Sequence, residues 1–490
     1  MLQLRESPQQ NSAMRAARLG RAGVASLLLA GACGTACRRS EGAARPNVVL
    51  IVVDTLRADA LGCYGGAGDA SPRIDALARS GVRFSRAWAQ APWTVPSISS
   101  LLTACYPSEH GQGVGRELVP GCPNVAAALA RAGYATAAIG DFETPLLGQG
   151  FATFEVPFGT FADRARVGGK NLARVTFAKA ADWVLAQRRT PFFLFLHTYE
   201  VHDYFFAKGY ARRAARRSRP AYRGRFVSWA LRDPAIDAGR QLVLDLASAD
   251  ENDMDFVRQL YLEGVRATDA AIGGLLDRID QLGSRESTLV VLVADHGEGF
   301  DRQARRFSHG GRLHDDLLRV PLVMSWPGHL APAVATDPVE LVDVVPSLLA
   351  LAGLEATTAP HGRPLVARRP SWQTWLGRAE WGVAPAPGRF EGWAEECCFA
   401  VDAAGVREAR RSAQQALIVP PYKLVHEPHS QELYDLDADP GERTNLAGLR
   451  ADLRERLAAR LRTRLAALGP GSEGSEAERL EMLRSLGYVQ

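Results

Sequence analysis

The protein has 490 residues, of which 47% are apolar and 23% are charged. This composition is typical of globular proteins and excludes collagen, coiled coils and a generally disordered chain. The formal net charge is +4, from 58 basic and 54 acidic side chains, which is too small over this length to indicate a nucleic-acid-binding protein. We therefore expect no nucleic-acid partner.

The N-terminal region, residues 1–45, is predicted to be a leader and linker rather than part of the fold. A basic stretch precedes a short apolar run at residues 22–32, which is the pattern of a secretory signal and is too short to span a bilayer. Cys33 follows in a context similar to a bacterial lipoprotein processing site, whereas the context of Cys37 is poorer. We expect export to the bacterial periplasm or cell envelope, with membrane anchoring through a lipidated Cys33. The alternatives are an ordinary cleaved signal and a true start at Met14.

Continuous apolar runs and helical patterns alternate along the middle of the chain. Such runs are typical of strands that are buried on both faces of a parallel sheet. The runs lie at residues 47–53, 192–196 and 288–294, and the helical patterns at residues 71–80, 124–132, 255–282 and 342–352. This alternation predicts an α/β fold, with a doubly wound and mostly parallel sheet flanked by helices.

Each of the three predicted strands stops at a residue with ionisable chemistry. These residues are Asp54, His197, and the pair Asp295 and His296. Because ligands bind at the carboxyl ends of strands in such sheets, the side chains are candidates for one shared site. Two carboxylates and an imidazole suit a divalent cation. For each residue taken alone, the alternative is a helix cap or a turn.

Thr94 is a candidate nucleophile at the start of a predicted helix. Pro96 suits the first turn of a helix, which places Thr94 at or beside the N-cap. That position lies near unpaired backbone N–H groups and the positive end of the helix dipole. The functional interpretation is a nucleophile whose oxyanion is stabilised by a metal and by the helix terminus. The alternative is a simple threonine cap.

The C-terminal part of the chain predicts a small subdomain. Residues 396–440 alternate short strands with turns, as in a small antiparallel sheet. The resulting division is a leader at residues 1–45, a catalytic domain at 46–355, a C-terminal subdomain at 356–465, and a hinge with a tail helix at 466–490.

Two further features leave alternatives open. The arginine-rich stretch at residues 208–233 is interpreted as a solvated helix face or loop, or as a funnel for anionic substrates or lipids. In an oxidising compartment, Cys105 and Cys122 could form a disulfide, but the sequence alone does not decide this pairing.

Several motifs together resemble sulfatases of the alkaline phosphatase superfamily. The motifs are Asp54-Thr55-Leu56-Arg57 within residues 46–65, Pro96-Ser97 through His110-Gly111, Asp295-His296-Gly297-Glu298, Ser308-His309-Gly310, and residues 317–322, 342–354 and 432–446. They follow the family's order from residue 46 to residue 447. The resemblance implies a sulfatase-like catalytic sheet, a small C-terminal antiparallel sheet, and a metal-dependent hydrolase.

The resemblance also implies a metal site and a nucleophile. Asp54, Asp295 and His296 match the family's metal ligands, and Thr94 stands at the nucleophile position. Three oxygens and one nitrogen from these four residues suit one divalent ion, namely Mn²⁺, Zn²⁺ or, less well, Ca²⁺.

Further histidines match residues that contact the substrate in the family. His202 resembles a substrate-contacting or proton-donating histidine. His309 resembles the basic residue that holds the transferred group or protonates the leaving oxygen. His197 and Arg57 are expected to bind the substrate.

The sequence departs from the family pattern at four positions. Thr94 replaces the Cys or Ser that sulfatases convert to formylglycine, so no formylglycine is expected. Ile98 replaces an arginine, Thr55 replaces the second Asp of the metal pair, and Val201 replaces a proline.

The predicted activity is hydrolysis of sulfate esters, or of related phosphate esters and diesters, through a covalent intermediate on Thr94. The expected substrates are small-molecule, glycan or lipid head-group esters. The alternatives are a phosphodiesterase or a phosphoglycerol- or phosphoethanolamine-type transferase on the same scaffold, and an inactive homologue that binds an anion.

Overall fold

The computed structural model describes most of the chain after residue 44. The described residues are 45–66, 68–111, 121–142, 148–158, 172–187, 189–205, 208–218, 221–227, 248–301, 306–355, 360–370, 373–374, 379–386, 388, 390–396, 400–401, 407–408, 414–427 and 429–468. The predicted leader, with Cys33 and Cys37, and the predicted tail helix lie outside these residues. The domain boundaries at residues 355 and 465 stay predictions.

Nineteen strands are found in the described part of the chain. They are β1 Asn47–Val53, β2 Val82–Trp88, β3 Ala135–Gly140, β4 Thr153–Glu155, β5 Phe192–Thr198, β6 Thr288–Val293, β7 Gly299–Asp301, β8 Arg306–Ser308, β9 Arg319–Ser325, β10 Ala333–Ala335, β11 Val339–Glu340, β12 Val366–Arg368, β13 Trp381–Val383, β14 Gly392–Glu396, β15 Ala400–Val401, β16 Arg407–Glu408, β17 Gln414–Val419, β18 Tyr422–His426 and β19 Gln431–Asp435.

The helices of the same residues alternate with the larger strands. They are α1 Pro72–Arg79, α2 Thr94–Thr103, α3 Pro107–His110, α4 Val125–Arg131, α5 Leu172–Ala186, α6 Lys208–Arg217, α7 Glu251–Gln281, α8 Asp315–Leu318, α9 Val344–Leu351 and α10 Ala451–Leu468, with 3₁₀ turns at Ala58–Ala60, Gly62–Tyr64 and Leu341–Asp343. The longest, α7, begins at a reciprocal cap in which Asp250 and Asp253 accept each other's backbone N–H. None of the described helices is long and apolar enough to cross a bilayer.

The central sheet has the strand order β10-β2-β9-β6-β1-β5-β3-β4, and β11 also pairs with β2. Strand β9 is antiparallel to both of its neighbours, whereas the other pairings in the sheet are parallel. Strands β5 and β6 are buried along their whole length, and β1 along all but its first residue, as expected for strands covered on both faces. The predicted α/β fold with a mostly parallel sheet flanked by helices is confirmed.

The register of the three central strands determines where the candidate site lies. Val52 of β1 is level with His197 of β5 on one side and with Val293 of β6 on the other. Asp54 and Asp295 follow directly beyond this level. The strand-terminal residues singled out in the sequence therefore emerge together at one edge of the sheet.

The C-terminal part of the chain contains the predicted small antiparallel sheet. Its strand order is β14-β17-β18-β19, and helix α10 packs against β18. Nearer the catalytic part of the chain, a disulfide joins Cys105 to Cys122. The arginine-rich stretch is described only in part, because residues 219–220 and 228–247 lie outside the described residues.

Candidate metal and catalytic site

Asp54, His197 and Asp295 form a buried cluster at the edge of the central sheet. One ligand atom from each residue lies within 4.8 Å of the others. All three side chains are fully buried. The strand-end pattern had grouped His197 with these carboxylates, whereas the family resemblance had assigned it to the substrate. The structure brings its imidazole into the group of residues that could hold a metal ion.

The orientation of His197 is determined by a backbone carbonyl. Its Nδ1 lies 2.6 Å from the carbonyl oxygen of Asp141, which can only accept, so Nδ1 carries the proton. Nε2 then faces Oδ2 of Asp54 at 3.3 Å. Two lone pairs at this distance repel each other unless a proton or a cation lies between them, and metal-binding histidines have this second hydrogen bond to a carbonyl.

The two carboxylates also have the chemistry of cation ligands. Oδ1 of Asp54 and Oδ2 of Asp295 are buried and lack a hydrogen-bond partner among the described residues. Burial, together with the nearby charge of Asp295, raises the pKa of Asp54 well above its usual value. A divalent cation would satisfy both oxygens and remove this repulsion, so the residues present fit the metal that the sequence predicts.

His296 lies on the other side of the same carboxylates. Its Nδ1 donates to the carbonyl of Gly297 at 2.9 Å, and this hydrogen bond leaves Nε2 facing the carboxylates. Nε2 is 3.5 Å from Oδ2 of Asp295, 3.8 Å from Oδ1 of Asp54 and 3.4 Å from Oγ1 of Thr94. His296 can therefore serve either as a metal ligand or as an acceptor for the threonine proton.

Thr94 is the first residue of helix α2, and the sequence had placed it at or beside the cap. Its side chain is buried, and Oγ1 donates to Oδ2 of Asp54 at 3.1 Å. One turn further along the helix, Oγ of Ser97 donates to the carbonyl of Asp295 at 2.6 Å. This hydrogen bond connects the start of α2 to the end of β6, where the candidate ligands Asp295 and His296 follow.

The positions that depart from the family pattern have structural roles here. Thr55 adopts a left-handed conformation with φ 56°, a strained geometry for a β-branched residue. Its Oγ1 donates to the carbonyl of Asp54 at 2.7 Å, and its N–H donates to Oδ1 of Asp295 at 3.3 Å. Ile98 is fully buried in the hydrophobic core. Thr55 therefore supports the cluster through its backbone.

His202 and His309 extend the group of imidazoles that begins at His296. The ring centroids of His202 and His309 are 5.1 Å apart, and those of His296 and His309 are 4.8 Å apart. Burial lowers the pKa of His309 to about 4, so its ring is neutral near pH 7. Nε2 of His309 is buried and has no hydrogen-bond partner among the described residues.

Arg57 lies apart from this cluster. Its guanidinium binds Asp59 at 2.6 and 2.8 Å and donates to the carbonyl of Glu298 at 2.7 Å. The side chain also lines a separate cavity, which does not include any residue of the carboxylate cluster. A direct substrate contact by Arg57 at the reacting group stays a prediction.

Three residues that orient the site residues were missed in the sequence. Oε2 of Glu298 lies 3.4 Å from Nδ1 of His309, and Oδ1 of Asp203 lies 2.7 Å from Nδ1 of His202. Asp141 holds the ring of His197 through its carbonyl. Asp141 follows strand β3, so the rule that identified polar residues at strand ends would have found it. Glu298 and Asp203 lie within or beside motifs that were already recognised.

The comparisons with known proteins identify the family. The sulfatase family model matches residues 46–354. Arylsulfatase A of Homo sapiens is 30% identical, and the match covers 86% of this chain and 86% of that protein. The ulvan-active sulfatase of Formosa agariphila is 27% identical, over 66% of this chain and 64% of that protein.

Solved structures share the fold. A 2-O GAG sulfatase superposes with a TM-score of 0.65 at 19% identity, covering 89% of this chain and 96% of that chain. The phosphonate monoester hydrolase of Agrobacterium radiobacter superposes with a TM-score of 0.64 at 20% identity, covering 86% and 96%. At these identities the likeness supports the fold alone. From the family match and the relatives in sequence, the chain belongs to the sulfatase family of the alkaline phosphatase superfamily, whose hydrolases act on sulfate esters.

Proposed function

We propose that the protein is a metal-dependent hydrolase that cleaves sulfate esters through a covalent intermediate on Thr94. The observation that carries this proposal is the placement of the threonine hydroxyl. Oγ1 lies 3.1 Å from Oδ2 of Asp54 and 3.4 Å from Nε2 of His296, inside a buried group of carboxylates and imidazoles. A nucleophile hydrogen-bonded to a proton acceptor and beside candidate metal ligands is the arrangement that covalent catalysis requires.

Asp54, Asp295 and the two imidazoles of His197 and His296 would hold the metal. The proposed ligand set therefore adds His197 to the residues predicted from the sequence. Imidazole ligands together with carboxylates favour Zn²⁺ or Mn²⁺ over Ca²⁺, which prefers oxygen. When bound, such an ion polarises the ester oxygens and stabilises the alkoxide form of a nucleophile.

In the first half of the reaction, Oγ1 of Thr94 attacks sulfur while the bond from sulfur to the alcohol oxygen breaks. The hydroxyl proton passes to Oδ2 of Asp54, which accepts its hydrogen bond, while Oδ1 of the same carboxylate remains for the metal. The leaving oxygen takes a proton from Nε2 of His309 or from His202. His309 is neutral in the free protein, and an anionic ester beside it would raise its pKa toward protonation.

In the second half, water attacks sulfur and gives a proton to the histidine that protonated the leaving oxygen, while the bond from Oγ1 to sulfur breaks. Asp54 returns its proton to Oγ1, which releases sulfate and restores Thr94. This step differs from that of a formylglycine enzyme, whose hydrate expels sulfate by elimination from a carbon that bears a second hydroxyl. Threonine has no such hydroxyl on its reacting carbon. The proposed intermediate therefore depends on a water molecule that reaches sulfur directly.

The presence of threonine, which has to release the transferred group to water directly, supports a second candidate function: hydrolysis of phosphate esters or diesters. A phosphorylated threonine is cleaved by direct in-line attack of water on phosphorus with metal assistance. The hydroxyl of Thr94 and the buried metal ligands suit this reaction as well as they suit sulfate transfer. An assay with both classes of ester distinguishes sulfate hydrolysis from phosphate hydrolysis.

The substrate and the location of the enzyme are also proposed. Sulfated sugars are the favoured substrate class, because one superposed structure, at 19% identity, is a complex with D-glucosamine-2-N,6-O-disulfate. The basic and apolar N-terminal pattern supports export and lipidation at Cys33.

The assay uses the purified full chain with 4-nitrophenyl sulfate, 4-nitrophenyl phosphate and bis-4-nitrophenyl phosphate. Each substrate is tested with Mn²⁺, Zn²⁺, Ca²⁺ or EDTA. We expect metal-dependent turnover of the sulfate ester, and a decrease in kcat on the order of 10⁴-fold for Thr94→Ala. Thr94→Ser is the matched control, because it retains a hydroxyl and should retain turnover.

The outcomes separate the candidate functions. Turnover of the diester alone would identify the protein as a phosphodiesterase. Undiminished sulfate hydrolysis in Thr94→Ala would refute the nucleophile assignment. Stoichiometric metal binding without turnover of any of the three substrates would favour a binding role.

A further inference from the structure

A cavity of about 760 Å³ lies beside the catalytic cluster without including it. Its wall is formed by the turn after β1, one side of helix α7, the β7–β8 hairpin, the start of β9 and a C-terminal turn at residues 440–443. These segments come from distant parts of the sequence. The cavity is therefore a product of the tertiary fold, and none of the roles proposed above uses it.

Five arginines line this cavity, and three of them form no ion pair with a described carboxylate. Arg258 donates to the carbonyl of Phe300 at 3.2 Å, and Arg319 donates to the carbonyl of Ser85 at 3.1 Å. Arg306 donates to two backbone carbonyls of the C-terminal turn at 3.2 and 2.8 Å. The other two, Arg57 and Arg443, pair with Asp59 and Asp301. Backbone carbonyls orient a guanidinium, but they do not neutralise its charge.

The carboxylates on the wall are largely neutralised by other cations. Asp315 and Glu442 both contact the buried ammonium of Lys423, and Asp316 pairs with Arg312. Asp59 and Asp301 belong to the arginine pairs already described. The single charge of Lys423 leaves one negative charge on the Asp315 and Glu442 pair, and Glu251 carries another. Set against the three arginines without an ion pair, these leave the wall a formal surplus of one positive charge.

Aromatic side chains supply the apolar part of the same wall. Tyr64, Tyr261 and Phe300 all line the cavity, and the rings of Tyr261 and Phe300 meet edge to face at 5.1 Å. Cavities with aromatic walls and a few oriented polar groups are typical of sites for small organic ligands. Guanidinium groups are the preferred donors to sulfate and carboxylate oxygens.

We propose that this cavity binds an organic oxyanion, a sulfate or carboxylate group carried on a ring, through Arg258, Arg306 and Arg319. The bound oxyanion is a second acidic group of the substrate, in addition to the ester that is cleaved. This part of the proposal rests on the proposed function. Hydrogen bonds link the two sites, since Arg57 on the cavity wall donates to the carbonyl of Glu298, whose side chain contacts His309. Tyr261 likewise donates to the carbonyl of Thr55.

The first experiment measures binding without catalysis. The full chain is treated with EDTA and titrated calorimetrically with inorganic sulfate at constant ionic strength. The comparison of variants then distinguishes sulfate bound in the cavity from sulfate bound elsewhere in the protein. The test variant is Arg258→Gln combined with Arg319→Gln, and the matched control is Arg278→Gln, an exposed arginine on the same helix that contacts Gln281.

We expect the double variant to bind sulfate at least about tenfold more weakly, as expected for the loss of charged hydrogen bonds, and the control to bind like the unaltered protein. Equal sulfate affinity in the double variant and the unaltered protein would overturn the proposal. An equal loss in Arg278→Gln would also overturn it, because the effect would then be one of net charge. Circular dichroism of each variant verifies that it is folded.

The second experiment identifies the source of the anion in the metal-loaded protein. If the anion is part of the substrate, the double variant raises KM for a disulfated saccharide by about tenfold and leaves KM for its monosulfated counterpart unchanged. If free sulfate instead changes the turnover of 4-nitrophenyl sulfate in the unaltered protein but not in the variant, the anion is a separate effector of the same site. Sulfate binding that is retained without any turnover would count against the proposed function and leave the cavity assignment standing.

Discussion

His110 shows how a single buried residue near the nucleophile contributes to stability. It is completely buried at the end of α3, and its Nε2 lies 3.0 Å from Oγ of Ser100 on the helix that carries Thr94. Burial lowers the pKa of His110 to about 3, against 6.5 for an exposed histidine. The ring is therefore neutral in the folded protein, whereas in the unfolded chain it becomes charged below pH 6.5.

The first prediction concerns acid stability. Because the folded pKa is lowered, the unfolded state binds the proton first, so stability is complete above pH 6.5 and decreases as the pH falls toward 3. Between pH 6.5 and 4.5 this amounts to about 2–3 kcal/mol for His110. We therefore expect the free energy of unfolding, measured with urea, to decrease less between pH 7.0 and pH 4.5 in His110→Gln than in the unaltered protein. Equal losses in the two proteins would contradict the prediction.

At the scale of elements, one buried lysine joins the C-terminal sheet to the catalytic part of the chain. Lys423 of β18 is completely buried, and its Nζ lies 2.7 Å from Asp315 of α8 and 2.5 Å from Glu442. Nε1 of Trp88 also donates to Asp315, at 3.1 Å. The helix α8 follows shortly after His309 along the chain. The ion-pair group therefore attaches the segment after His309 to the C-terminal sheet.

The second prediction concerns this ion-pair group. Lys423→Met leaves two buried carboxylates without their cation, and this should lower the free energy of unfolding by about 3–5 kcal/mol. Urea unfolding at pH 7 measures the change. The matched control is Lys179→Met, since Lys179 forms an exposed pair with Glu155 at 3.7 Å. This variant should lower the free energy of unfolding by less than about 1 kcal/mol. Similar losses for the two variants would show that burial of the pair contributes nothing.

At the scale of the whole molecule, metal binding should be linked to folding. The candidate ligands are Asp54, His197 and the adjacent Asp295 and His296, three places in the sequence that come together only in the folded protein. A ligand that binds the folded state alone stabilises it by mass action. The unfolded chain has no site of comparable affinity.

The third prediction follows from this linkage. A metal at one hundred times its Kd should raise the free energy of unfolding by about 2.7 kcal/mol, and EDTA should reverse the gain. Thermal unfolding with and without Zn²⁺ or Mn²⁺ measures the shift. In Asp54→Asn the shift should be much smaller, whereas Asp452→Asn, on the exposed face of α10, should respond like the unaltered protein. A full shift in Asp54→Asn would exclude this cluster as the metal site.

Much of the fold was determined by local patterns that can be read in the sequence. The apolar runs that became β1, β5 and β6 are local properties, and so is the proline in the first turn of α2. Because parallel strands end at one edge of a sheet, the grouping of Asp54 and Asp295 followed from the same patterns. The family and the α/β fold were therefore predictable without coordinates.

The tertiary structure alone decided how the side chains are oriented and which surfaces meet. His197 joined the metal cluster because a carbonyl on the neighbouring β3 segment fixes its ring, a contact between residues 56 positions apart. The antiparallel β9 between β2 and β6, and the arginine-lined cavity, depend on segments more than 200 residues apart. Local sequence patterns record backbone periodicity and burial, whereas ring orientation and cavity walls arise from long-range packing, which no short stretch of sequence contains.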